Sequence, residues 1–106
     1  MGYDGQTVLE YLRQSHETSL LSDREKQLIG LAVTLTRGCQ VCTRGRIEKA
    51  RAAGIGDDVL NALANVVSAV NAGVTAATAR EGFRLADATA REAACTDLCA
   101  TESSRT

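Results

Sequence analysis

The chain has 106 residues, with 12 basic and 13 acidic side chains for a net charge of −1; it has no Trp or Pro, one Phe and two Tyr. That balance leaves no basic footprint for nucleic acid, and so few aromatics give bases nothing to stack on. The length fits one domain and one core, which Ala, Val and Leu must fill; because small side chains bury little area each, a homo-oligomer is expected to complete the burial.

Read in chain order, the pattern is helical. No stretch sustains the period-2 alternation of a strand, so the fold class is all-α over a single domain, 1–106, with its core at about 21–83. Val8, Leu9 and Leu12 fall at helical spacing and predict a first helix from about Gln6 to His16. Ser22-Asp23-Arg24-Glu25 has the form of a capping box that opens a second helix. Leu28, Ile29, Leu31, Ala32, Val33 and Leu35 make that helix apolar nearly all round, which points to burial in a core or at a subunit contact. Gly38 ends it, and a third helix follows through Ala52 with Gly54 as its stop. Gly56-Asp57-Asp58 starts a fourth, striped by Val59, Leu63, Val66, Val67 and Val70 and ended or bent at Gly73. A last helical stretch begins at about Val74 and continues toward Cys99. The polar tail, 101–106, is expected to fray.

No apolar run approaches ~18 residues, so no membrane span is expected. Met1-Gly2-Tyr3-Asp4-Gly5 lacks the basic-then-apolar layout of an export signal, so the expected compartment is cytoplasmic. In that compartment paired cysteines read as redox-active or metal-binding rather than as structural staples.

The pair that matters most is Cys39 and Cys42, within Gly38-Cys39-Gln40-Val41-Cys42. Placed at a helix start, a CxxC pair meets unpaired backbone N–H groups and the positive end of the helix dipole. Both stabilise a thiolate, the reactive form of cysteine. The plain alternative is a pair of small buried hydrophobes. Arg46 lies one turn beyond Cys42, and at ~100° per residue Cys39, Cys42 and Arg46 fall within about 60° on one face. A fixed positive charge there would favour a thiolate or hold an anionic substrate; equally, it could face solvent or pair with an acid.

A second cysteine pair, Cys95 and Cys99, sits near the C-terminus. Four thiolates could hold zinc, but the i,i+4 spacing and the 52 residues between Cys42 and Cys95 match no common zinc ribbon. The second pair could also relay electrons as another dithiol, or pack without a redox role. His16, before the polar Glu17-Thr18-Ser19, reads as a capping or exposed residue and stays outside the site. Neither a GxGxxG nor a Walker pattern occurs, and no His-carboxylate cluster suggests a metal centre, so no cofactor is expected.

The stretches LSDREKQLIGLAV, GCQVCTRGRIEKARAAGI and DDVLNALANVVSAVNAG, in this order and spacing, resemble the carboxymuconolactone decarboxylase-like family, specifically its alkyl hydroperoxidase D-like branch. The resemblance covers Leu21 to Phe83. It implies an all-α fold built on a helical hairpin and assembled as trimers or hexamers. It also implies peroxide reduction by a dithiol that becomes a disulfide and is restored by a thiol reductant or redox partner protein. In the branch that works best as a peroxidase, a Glu twelve positions before the first Cys and a His four after the second form a proton relay. Here those positions hold Gln27 and Arg46. Neither exchanges a proton near neutral pH, so the relay is absent as written. Gln27 keeps only a hydrogen-bonding role, around a water or a sulfur or at the surface. The expected activity is therefore peroxide reduction by a modified route or thiol–disulfide exchange. The alternative from another class is a non-catalytic, redox-responsive oligomer.

Overall fold

Ser22 and Glu25 begin the hairpin that carries the cysteines. The Ser22 hydroxyl accepts the Glu25 amide N–H at 3.0 Å, and the Ser22 amide donates to Glu25 Oε1 at 2.7 Å. Two orphan donors of the first turn are thus satisfied by a four-residue stretch, as the sequence predicts. We expect Ser22→Ala to cost about 1 kcal/mol of stability in urea unfolding followed by circular dichroism. An unchanged midpoint would show that the box contributes nothing.

The computed structural model describes residues 2–96, with side chains through Ala94. Four helices run in order: α1 (Gln6–Ser15), α2 (Asp23–Arg37), α3 (Gln40–Ala52) and α4 (Asp57–Thr96). No strand occurs among the described residues. By internal packing the chain divides into two units, Met1–Val67 and one that begins at Ser68.

In the first unit α2 and α3 pack as an antiparallel hairpin. The turn between them is short because Gly38 adopts φ 74°, the left-handed region that an L side chain rarely enters. From there the Gly38 and Cys39 amides bond back to the carbonyls of Leu35 and Thr34 at 3.2 and 3.3 Å. This is a Schellman closure, so Cys39 is at once the last residue of one helix end and the first of the next. The same bond pattern ends α3, where the Gly54 and Ile55 amides donate to Arg51 and Ala50 at 3.0 Å each. It carries Ile55 into the core beside Ala50.

The core is small. Leu31, Ala50, Ile55 and Leu60 are buried, and Leu28, Leu35, Ile47, Val59 and Leu63 pack against them half-buried. Leu28, Leu31 and Leu35 form one stripe of α2, and Ile47 and Ala50 answer it from α3. Ile29 and Val33, on the other side of α2, stay about half exposed at 49% and 53%. Only part of the apolar girth of α2 is therefore buried within the chain. A two-pronged Arg51–Asp57 pair, at 2.9 and 3.0 Å, clips the end of α3 to the start of α4. The hydrogen bonds from Arg51 hold the Asp57 carboxyl below the ordinary aspartate range.

One expectation is corrected. The break or bend at Gly73, and the separate helix from Val74, are not found: α4 continues through both. A glycine inside a helix costs only about 1 kcal/mol relative to alanine, and this one lies in an Ala- and Val-rich run. Against the expectation that no apolar run is long enough, Asp57–Ala94 is long and apolar enough, by length and composition alone, to cross a membrane. It nevertheless carries a stripe of uncharged polar groups, Asn61, Asn65, Ser68, Ala72, Thr75 and Thr78 at intervals of three and four, broken only by Ala72. Charged residues frame this stretch, with Asp57 and Asp58 before it and Arg80 and Glu81 after it.

Candidate functional site

Cys39 is the N-cap of α3. Its φ and ψ of −88° and 104° are extended, and its sulfur takes the place that a serine or aspartate oxygen usually fills. The Cys42 amide, the third in the helix, donates to Cys39 Sγ at 3.2 Å. The two Cα atoms are 5.3 Å apart and the sulfurs are joined as a disulfide, a separation typical of bridged cysteines. Cys39 is half-buried and Cys42 is exposed. The two thiols therefore differ in kind: one is held by the helix start and the other is presented to solvent.

Beside Cys39 lies an open cleft of about 570 Å³. Thr43 and Thr34 meet in it, the Thr43 hydroxyl donating to Thr34 Oγ1 at 3.1 Å and the Thr34 hydroxyl to the Leu31 carbonyl at 3.0 Å. Arg44, Glu48 and Arg51 complete its charged rim. Arg51 is engaged by Asp57.

Gln27 and Arg46, the two residues expected to support the dithiol, are brought together, but in a different cleft. They line one of about 710 Å³ in company with Lys26, Lys49 and His16, and neither cysteine lines it. The Arg46 guanidinium lies over α2 at Gly30. A Cβ built on Gly30 would fall 2.6 Å from Arg46 Cζ. Glu25, two residues before Gln27, is occupied by its cap and takes no part.

Cys95 lies near the end of α4, and Cys99 lies outside the described residues. Among the described residues no group of three or more His, Cys, Asp or Glu side chains could hold a metal ion.

A family model for carboxymuconolactone decarboxylases matches residues 5–88. That match spans the hairpin, the CxxC turn and most of α4. The chain belongs to the carboxymuconolactone decarboxylase family. Comparison with curated proteins and with solved structures finds no match. Within this family member the Cys39–Cys42 pair sits at the turn of the α2–α3 hairpin, where a backbone closure and a helix start coincide.

The sequence left three site features unread. His16 caps the C-terminus of α1 and is exposed, as expected, yet it also faces the cleft that holds Gln27 and Arg46. Its Nδ1 lies 2.9 Å from the Leu12 carbonyl; a carbonyl only accepts, so Nδ1 carries the hydrogen. The Thr34–Thr43 contact and the fit of Arg46 over Gly30 are the other two. Each joins residues nine or more positions apart on different helices, and no local motif announces them.

Proposed function

We propose that this protein is a dithiol redox protein of the alkyl hydroperoxidase D-like kind, which cycles Cys39 and Cys42 between dithiol and disulfide. The observation that carries this reading is the capped geometry of Cys39. A sulfur that accepts the Cys42 N–H at the start of α3 is placed to bear negative charge. Cys42 stands one turn away at disulfide spacing.

In the peroxide reaction one thiolate attacks the O–O bond. The bond breaks, the alcohol or water leaves with a proton, and the attacking sulfur becomes a sulfenic acid. The second thiol condenses with it, releasing water and forming the disulfide. Two electrons from an external dithiol, or from a redox partner protein, restore the pair. The family relay positions hold Gln27 and Arg46, neither a side chain that serves as a general base. The proposed proton source for the leaving oxygen is solvent, which reaches the exposed Cys42 side of the turn. Thiol–disulfide exchange needs no such proton delivery and uses the same geometry.

The proposed assembly is a homo-oligomer, a trimer or hexamer, working in the cytoplasm without a cofactor. Its support is the small core: Ile29, Val33, Val66, Val70 and Val74 all stand exposed. A second reading, a non-catalytic redox-responsive oligomer, is favoured by one observation. Gln27 and Arg46 line a cleft that neither cysteine enters.

Turnover separates the two. With excess dithiol reductant, we expect the protein to consume many equivalents of hydroperoxide or of a small disulfide per CxxC. A single equivalent, accompanied by a change of oligomeric state in sedimentation, would replace the enzyme with the sensor.

A further inference from the structure

The cleft between α1 and the α2–α3 hairpin is built differently from the cysteine site. Four basic side chains line it, Arg13, Lys26, Arg46 and Lys49, against one carboxylate, Asp23. Two of the four are already engaged. Arg13 is gripped by Glu10 and Glu17. Lys26 donates to the His16 carbonyl at 2.6 Å and lies 3.8 Å from Asp23. Among the described residues neither Arg46 nor Lys49 has a carboxylate within ion-pair distance.

Arg46 is also half-buried. Removing a guanidinium from water without giving it an anion is costly, so such groups are usually paired. This one is accommodated by Gly30, where any side chain would collide with it. Gln27, one turn before Gly30 on α2, adds a neutral amide to the same wall. His16 contributes an imidazole, and the rest of the wall is apolar: Leu9 and Leu12 from α1, Ala52 and Ala53 from the end of α3. Leu9 and Leu12 are about half exposed at 55% and 43%, so they offer apolar surface to an occupant.

We infer that this cleft binds an organic carboxylate carried on an apolar body, with the carboxylate on the Arg46 fork and beside Lys49, and the body against Leu9 and Leu12. A planar guanidinium matches a carboxylate in two-pronged geometry. With only two unpaired cations and an apolar wall, the cleft suits a small acid better than a polyphosphate. This site does not rest on the dithiol reading, since neither cysteine lines it.

The test is calorimetric titration of the oxidised 106-residue protein with octanoate, with octan-1-ol and with inorganic phosphate. Octanoate is expected to bind at least about tenfold more tightly than either comparison ligand, because one supplies only the apolar body and the other only the charge. Arg46→Gln is expected to weaken octanoate about tenfold or more, as losing a charge-assisted hydrogen bond does. Lys49→Gln, at an exposed position, is expected to weaken it by a smaller factor. Gly30→Ala is the sharper probe: it changes no charge and suits a helix, yet it displaces the guanidinium, so octanoate should weaken while the helical circular dichroism is retained. Octanol binding as tightly as octanoate, phosphate binding as tightly, or octanoate unaffected by both Arg46→Gln and Gly30→Ala would each overturn the assignment.

Discussion

Oxidised protein treated with a single-thiol reductant and quenched in acid should carry the mixed disulfide on Cys42, in at least about tenfold excess over Cys39. Two features set this direction. Cys42 is exposed and Cys39 is half-buried, so the incoming thiolate reaches the Cys42 sulfur first. The sulfur that departs is then Cys39, and it departs as a thiolate. The Cys42 N–H already points at it from 3.2 Å, and the start of α3 places the positive end of a helix dipole beside it. Exchange is fastest when the attacked sulfur is accessible and the leaving thiolate is stabilised, and here the two demands fall on different cysteines. Peptide mapping by mass spectrometry reads the site, with Cys95 and Cys99 replaced by serine to remove competing thiols. Single variants complete the case. Cys39→Ser, loaded at Cys42 by exchange with the disulfide form of the same single thiol, should hold the adduct without resolution, and either Cys39→Ser or Cys42→Ser should lower dithiol-driven turnover by at least about a hundredfold, because the two thiols act as one unit. An adduct found mainly on Cys39 would reverse the roles, and the capped sulfur would then be the point of entry.

That asymmetry bears on how the chain departs from the family's peroxidase pattern. A Glu–His relay delivers and removes protons at the thiol. Gln27 and Arg46 cannot, and the structure sets them around a separate cleft with Lys49 and His16. What bonds the Cys39 turn and its sulfur is backbone: a Schellman closure that fixes Cys39 and the Cys42 amide that donates to its sulfur. A backbone donor stabilises charge without gating it by pH. Such a site favours exchange between thiols, whose transition state shares negative charge among sulfurs, over a step that must protonate an alkoxide.

The parts of this fold that were legible in the sequence are local. Ser22 and Glu25 are three residues apart, and their reciprocal bonds follow from that spacing alone. The cap role of Cys39 follows from a glycine before it and a helical pattern after it, and Ala53-Gly54 ends α3 for a similar reason. Gly73 misled because a residue-level preference of about 1 kcal/mol was set against a helix whose other interior residues mostly favour continuation. The cleft was illegible for a different reason. Arg46 was placed on the face of the cysteines by counting turns, which is sound for its Cα. A long side chain, however, extends far from its Cα, and the absence of a Cβ at Gly30 lets the guanidinium lie across α2. That His16 lines the same cleft as Gln27 depends on how α1 returns toward the hairpin, where Lys26 reaches the His16 carbonyl. No periodicity encodes that return.

Leu31→Ala should have the largest effect on stability, a loss of about 2–5 kcal/mol. Leu31 is 2% exposed and is the only residue of α2 that is buried. It meets Ala50 of α3, itself too small to expand into a vacated space, together with Ile55 and Leu60. A domain of this size is stable by about 5–15 kcal/mol, and a core with four buried residues among those described places this one toward the lower end. Removing three carbons at its centre therefore consumes much of the margin. Urea unfolding monitored by circular dichroism measures it, with Arg24→Ala as the control. Arg24 lies on the same helix and is exposed, so its truncation should leave the folding of the hairpin within about 0.5 kcal/mol. A loss below about 1 kcal/mol for Leu31→Ala would mean that surfaces outside the chain's own core hold α2 in place. The consequence for chemistry follows either way, because the turn bearing Cys39 is closed by carbonyls of Thr34 and Leu35, one turn of α2 beyond Leu31. Whatever holds Leu31 also holds the sulfur at the head of α3.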